Sequence, residues 1–389
     1  MKAIALEKVL RPARDPVRVD DPKSAKLISV RLYGQGAVCR DIRDGKEPKP
    51  FTGNRGRAGQ FVFSRIWARR GAMALIPPGL DGVVVTNEFP LFDVDEQQLD
   101  SRYLNYFVQT PRFLAELERV SAGASGQNRV KEAAFLALEL PLPSLDEQRR
   151  IAVILDRADA LRVRRRDEIS FLRELSSVLY ERATSGADER TVQELLDASV
   201  LAVHKDGNHG SLYPRPEEFA PEGVPFLTAK AIRDDGSVAA DRVDHLIEEK
   251  ASQLRIGWIQ DGDVLLSHNA SVGKVAVYEG QFGRALIGTS LTCFRADATR
   301  LVPDFLAASL RADAFQRQLK HDMAQTTRNQ VPITAQRKLS LRWIEPERQR
   351  QLASSLEPVA SRMAAVRRLL NLADELFASL QSRAFQGEL

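Results

Sequence analysis

The residues whose types and spacing could do chemistry are few, and most of them fail the tests for an active site. Gly273-Lys274 resembles part of a phosphate loop. Such a loop needs a glycine five positions before the second one, where His268 stands, and a Ser or Thr after the lysine, where Val275 stands. Glu248-Glu249-Lys250 holds the Glu-x-Lys half of a metal-dependent nuclease motif, without a matching acid upstream. The histidines (His204, His209, His245, His268 and His321) have no cysteine nearby and no metal-ligand spacing. Cys39 and Cys293 stand too far apart in a long chain to suggest a disulfide scaffold. No glycine-rich loop follows a strand as a nucleotide or S-adenosylmethionine site would require, and no Gly-x-Ser-x-Gly elbow occurs. Pro77-Pro78-Gly79 reads as a turn rather than part of an amino-methylation tetrapeptide. The expectation is a binding protein with no catalytic residue, no metal and no cofactor of its own.

Recognition chemistry is better represented. Between Val30 and Leu75 there are ten Lys/Arg and three Asp/Glu, a local excess larger than the net +4 of the whole chain. A polyanion such as nucleic acid fits that charge, with a solvated surface as the plain alternative. The candidate contacts in this half are Lys46, Lys49, Asn54, Arg55, Arg57, Arg65, Arg69, Arg70, Asn128 and Arg129. In the other half they are His204, Lys205, Asn208, Lys230, Ser267, His268, Asn269, Ser271 and Lys274, and the polar run Gln325, Thr326, Thr327, Arg328, Asn329 and Gln330. Arginine pairs well with guanine, and Asn or Gln with adenine.

The elements that must position these residues are written twice. Glu147-Gln-Arg-Arg-Ile-Ala-Val-Ile-Leu155 aligns with Arg348-Gln-Arg-Gln-Leu-Ala-Ser-Ser-Leu356 at an offset of 201, matching Gln148 to Gln349 and Ala152 to Ala353. The offset holds to Gly186/Gly387 and back to Asn128/Asn329, then drifts by one and by two further upstream, as short loop insertions would produce. In the second copy Leu352, Leu356, Val359, Met363, Val366, Leu370, Ala373, Phe377 and Leu380 alternate spacings of four and three, the pattern of a coiled-coil seam. The first copy gives Ile151, Leu155, Ala158, Ile169, Leu172 and Leu179, interrupted by Arg162 and Arg165. Two such helices, each about 35 residues and roughly 50 Å long, would pack antiparallel.

The remaining segments mix short β-rich runs with helical spacing. The runs are 26–33, 60–64, 72–76 and 82–86, and then 224–228, 263–267, 275–278 and 285–294; helical spacing covers 99–120 and 303–323. The expected fold is α+β: two pseudo-twofold-related mixed α/β domains joined by two long helices in an antiparallel coiled coil. The expected boundaries are 1–143, 144–186, 187–344 and 345–389. No apolar run approaches the roughly 20 residues of a membrane span, and a cytoplasmic location is expected.

The first helix start reads Leu140-Pro-Leu-Pro-Ser-Leu-Asp-Glu-Gln-Arg-Arg-Ile-Ala152, followed by Leu155-Asp156 and Ala158-Asp-Ala-Leu161. With the repeat, this resembles the specificity subunit of type I restriction–modification systems. The second copy keeps Gln349, Arg350, Leu352 and Ala353 but has Arg342-Trp343-Ile344 in place of the prolines. The loop Leu266-Ser-His-Asn-Ala-Ser-Val-Gly-Lys274 also looks like a family element, matched loosely by Ser64-Arg65 and Gly71. The resemblance spans nearly the whole chain. It implies two target-recognition domains, each reading one half of a split sequence in double-stranded DNA, and helices that set the gap. It also implies partners: two adenine methyltransferase subunits carrying S-adenosylmethionine, and, where cleavage occurs, motor-nuclease subunits using ATP and Mg. The competing reading is a two-headed scaffold that does not read DNA, for which DNA binding would be absent or insensitive to salt.

Overall fold

The computed structural model describes residues 3–40, 49–121, 129–208, 210–324 and 329–389. It divides into two compact units, Met1–Arg164 with Leu369–Leu389, and Arg165–Arg368.

The same topology appears in both. In the first unit Ala3–Ala5 pairs antiparallel with Glu139–Pro141. A four-stranded sheet runs in the order Leu10–Ala13, Leu91–Val94, Phe61–Phe63, Met73–Leu75. In the second unit Asp188–Thr191 pairs with Ser340–Trp343, and the sheet order is Leu201–Asp206, Leu291–Ala296, Val264–Ser267, Val275–Val277. Where they differ is the outer sheet: three strands in the first unit and five in the second. The repeat read from scattered identities is therefore a repeat of sheet connectivity.

Some expected runs break, for local reasons. The helical spacing over 99–120 resolves into Ser101–Phe107 and Pro111–Ser121. Pro111 disfavours a helical Thr110, so a new helix must start there. Asp100 caps the first of the two, its Oδ1 accepting from the amides of Arg102 (2.9 Å) and Tyr103 (3.2 Å). In the second unit Ala312 is extended (ψ 143°) and separates Pro303–Arg311 from Asp313–Ala324. The run 285–294 splits into Ala285–Ile287 and Leu291–Ala296, which belong to different sheets. The chain changes sheet at Gly288, where a Cβ would stand 3.0 Å from the Phe226 ring.

Two long helices, Leu145–Ala183 and Pro346–Gln386, each contribute to both units. In the first unit Ile151, Leu155, Ala158 and Ala384 are buried, and Leu370, Phe377 and Leu380 half-buried. Ile151, Leu155 and Ala384 join the head's own core, with Tyr103, Phe107 and Phe113. In the second unit Ile169, Leu172, Leu352, Val359 and Val366 are buried, and Leu179, Leu356 and Met363 half-buried. The pairing is antiparallel within each unit: Arg150 reaches the Leu389 carbonyl and Arg162 reaches Asp374, while Arg348 reaches the Ala183 carbonyl and Arg362 reaches Glu168. The arginines that interrupt the seam are accommodated by charge. Arg162 bonds Asp374 at 2.6 Å and lies 4.2 Å over the Phe377 ring, and Arg165 shares Glu168 with Arg362.

Each long helix is tied to its head by one buried glutamine. Gln148 accepts from the Asp100 amide (2.9 Å) and donates to the carbonyls of Gln98 (3.0 Å) and Pro143 (2.9 Å). Gln349 accepts from the Val302 amide (2.9 Å) and donates to the carbonyls of Arg300 (3.3 Å) and Ile344 (2.8 Å). Either side chain is itself fully buried and bonds three backbone groups. Gln148→Ala is expected to cost about 3 kcal/mol, at about 1 kcal/mol per bond. Thermal unfolding of the full chain should show the first unit melting earlier, and Gln349→Ala should do the same to the second.

Candidate nucleic-acid interface

In the second unit, strands Val264–Ser267 and Val275–Val277 are joined by a hairpin loop that folds around Ser267. The Ser267 amide donates to the Lys274 carbonyl (2.8 Å), and the Lys274 amide donates back to Ser267 Oγ (2.8 Å). Ser267 Oγ itself donates to the Ser271 carbonyl. The tight path needs left-handed backbone at Ala270 (φ 62°) and Gly273 (φ 99°). Residues 329–331 lie along the loop: the Ala270 amide donates to the Asn329 carbonyl (3.0 Å), and the Val331 amide to the His268 carbonyl (2.9 Å). Asn269 and Gln330 face each other as a β-bridge. The structure thus joins the loop and the end of the polar run, two segments that sequence reasoning had proposed separately. Between them opens a cleft of about 300 Å³, lined by Asp206, His268, Asn269, Thr289, Gln330, Pro332, Ile333 and Thr334. Its lining mixes apolar side chains with the amides of Asn269 and Gln330 and the hydroxyls of Thr289 and Thr334, and among the described residues it carries no arginine or lysine, a mixture that suits base edges better than phosphates.

The first unit repeats the plan. The Ser64 amide donates to the Ala72 carbonyl (2.9 Å), closing a loop that starts after Phe61–Phe63. The Val130 amide donates to the Arg65 carbonyl (2.8 Å), the counterpart of Val331 and His268. Arg65 pairs with Glu132 and donates from Nε to the Asn87 carbonyl, and Arg129 pairs with Glu88. Arg70 is exposed and Arg69 half-buried. Lys49 and Arg55 are exposed; Arg57 is exposed with a guanidinium nitrogen 3.6 Å from Asp93; Asn54 accepts from the Asp15 amide. Lys46, Asn128, Gln325, Thr326, Thr327 and Arg328 lie outside the described residues.

Four candidates are buried, with little or no side-chain surface to offer a base. Ser267 is buried, and its hydroxyl holds the loop. His268 is buried with Nδ1 2.9 Å from Thr292 Oγ1. Asn208 is buried and donates to the Ile256 carbonyl (2.6 Å). His204 is buried against Phe294, with Nε2 3.2 Å from Gln336 Oε1. A register shift between Leu201 and Val203 turns His204 to the same face as Leu201, so the strand's alternation misleads. The accessible candidates differ in how free their charge is. Lys205 and Ser271 are exposed, whereas Lys230 bonds Asp244 (2.6 Å) and Lys274 bonds Asp234 (3.1 Å). Asp206, Thr289 and Thr334 were not legible as site residues, because they reach the cleft from three distant segments.

Burial outweighs the Gln336 hydrogen bond and pushes the His204 imidazole down to about 4. Burial also lowers His268. As pH falls, the unfolded chain therefore takes up these protons before the folded one does. The stability of the second unit is expected to be full above about pH 6.5 and to fall toward pH 4. For His204 alone, the loss between pH 7 and pH 5 is about 2 kcal/mol. Urea midpoints at the two pH values check this, and His204→Phe should flatten the difference.

Among the described residues no group of three or more His, Cys, Asp or Glu is placed to hold a metal, and no helix is long and apolar enough to cross a membrane. Residues 59–170 match the family model described as the type I restriction modification DNA specificity domain. That segment contains the first hairpin loop and the start of the first long helix. A putative type I restriction enzyme MjaX specificity subunit from Methanocaldococcus jannaschii is 24% identical over 179 residues, 41% of this chain. The match spans about two fifths of that relative's length. The solved type I restriction–modification S subunit of M. genitalium overlays with a TM-score of 0.55 at 14% identity, covering 99% of this chain and 96% of that one. The HsdS subunit from Thermoanaerobacter tengcongensis overlays at 0.37 and 19% identity, covering 100% and 97%. The chain is thus similar to type I specificity subunits in a matched domain and in its fold.

Proposed function

We propose that this chain is the DNA specificity subunit of a type I restriction–modification complex. Each unit reads one half of a bipartite target through its hairpin loop and the polar segment beside it. The observation that carries the reading is the duplicated head, in which the same sheet order presents the same bridged loop twice. Two modest binding sites on one chain gain through effective concentration when both half-sites are present. The long helices, of 39 and 41 residues, set the gap; roughly 60 Å of helix is of the scale of two half-sites with a spacer.

The chemistry belongs to partners. An adenine methyltransferase with S-adenosylmethionine would modify the target, and a motor-nuclease subunit with ATP and Mg would cleave unmodified DNA. This chain carries no cofactor and works in the cytoplasm. The methyltransferase docks on exposed apolar side chains of the long helices. Phe171 (63% exposed) and Leu372 (60%) stand out, because they occupy equivalent positions of the two copies.

The test is an adenine-methylation map of the source cell with and without the gene. Loss of methylation at one bipartite motif on deletion supports the reading. An unchanged map, with purified complex that shows no salt-dependent sequence preference on DNA, overturns it in favour of a scaffold.

A further inference from the structure

The loop of the first unit differs from its counterpart in what it shows to solvent. Ile66 and Trp67 at its tip are 43% and 49% exposed. The loop of the second unit has Asn269, Ala270 and Ser271 in this region. Beside the first tip stands Tyr33, 70% exposed. Its backbone is left-handed (φ 57°), which a bulky residue adopts only when its surroundings impose it. Here they do. The Tyr33 amide donates to the Arg70 carbonyl (2.7 Å), and the Gly34 amide to the Gly71 carbonyl (3.0 Å). The two loops approach so closely that a Cβ on Gly71 would lie 3.1 Å from the Gly34 nitrogen. Trp67 is fixed from its own side, since its carbonyl accepts from the amides of Arg70 (2.9 Å) and Ala72 (3.2 Å). Arg31 and Arg70, both exposed, share these loops. The chain's other tryptophans are covered: Arg284 lies over Trp258 and Arg190 over Trp343.

Exposed aromatic and aliphatic side chains on a backbone pinned by hydrogen bonds, with arginines in the same loops, fit one occupant well. Arginine meets phosphate, and an apolar tip can slip between stacked bases. We propose that Trp67, with Ile66 and Tyr33, is a wedge that the first unit presses against a base step of duplex DNA. Its half-site is then read partly through how easily that step unstacks. The inference rests on the specificity-subunit reading and adds a mode of recognition that the cleft of the second unit, with Asn269 and Ser271 in place of the apolar tip, does not share. Pyrimidine–purine steps unstack most readily, so the first half-site should contain one.

The test uses the full chain with its methyltransferase partner, carrying Trp258→Phe and Trp343→Phe so that Trp67 is this chain's only tryptophan, and the same complex with Trp67→Phe gives the partner's emission to subtract. The probe is a duplex bearing the motif from the methylation map, beside a scrambled duplex of the same composition. Binding of the motif duplex should quench Trp67 strongly and brighten a 2-aminopurine placed in the first half-site. Trp67→Ala should weaken binding about ten- to a hundredfold, while Trp67→Phe keeps most of it. Two results overturn the wedge while leaving the specificity reading intact. One is tight motif binding with unchanged Trp67 emission and a harmless Trp67→Ala. The other is quenching by the methyltransferase before any DNA is added, which would make the tip a protein contact. Failure to bind any duplex, seen in the binding assay itself, overturns both.

Discussion

Replacing Asn269 and Gln330 together by alanine is expected to leave the first half of the methylated motif intact and to make the second half degenerate. The amides of these residues border the cleft between the loop and residues 329–334, and an amide can meet adenine with a donor and an acceptor at once. A good pairing of that kind discriminates by about 1–3 kcal/mol, so losing two should relax the second half-site about a hundredfold or more. The loop should survive the change. Its closure runs through Ser267 and the Lys274 amide, and its bridge runs through the backbones of His268, Ala270, Asn329 and Val331. Ser267→Ala makes the contrast, because it removes the acceptor of the Lys274 amide and loosens the loop while leaving both amides in place. That variant should weaken binding at the second half-site without selectively degrading one base. Methylation maps of cells carrying each variant separate the outcomes. An unchanged second half in the Asn269→Ala/Gln330→Ala variant would move base reading away from the cleft.

The difference between what could be read in advance and what could not follows from range. The seam from Leu352 to Leu380 was legible because helical periodicity is local, and the same holds for the interrupted copy from Ile151 to Leu179. The match of Gln148 to Gln349 was visible, but not its purpose. Their partners are backbone groups upstream, most of them about 50 residues away. The loop at 267–274 stood out by composition, and so did the polar run ending at Gln330. Their meeting depends on two backbone hydrogen bonds between segments about 60 residues apart. His204 shows the opposite failure. A polar residue in an alternating segment looks solvent-facing, and one register shift places it in the core. Trp67 and Tyr33 carry no signal of their own in the sequence, because a large aromatic residue is ordinarily well covered and only the fold reveals which ones are left outside.

Phe171→Asp with Leu372→Asp is expected to abolish methylation in the cell while leaving the chain folded. Neither residue belongs to the seam, whose neighbouring positions are Ile169 and Leu172 on one helix and Leu370 and Ala373 on the other. Their exposure means that the isolated chain loses almost no packing when they become polar. A docked partner loses much more. Covering a large apolar side chain contributes about 1.5–3 kcal/mol, and burying an unpaired carboxylate in its place adds a further penalty. Affinity at each site should therefore fall at least about a hundredfold. Because the two positions are equivalent in the repeat, the single variants are more informative than the double. Each should leave one methyltransferase bound where the unaltered chain binds two, a difference that sedimentation of the purified complex reads directly. If both single variants still carry two partners, these side chains are not the docking points. If either single variant loses both, the partners contact one another or bind one shared surface, and the duplicated helices do not act as two independent sites.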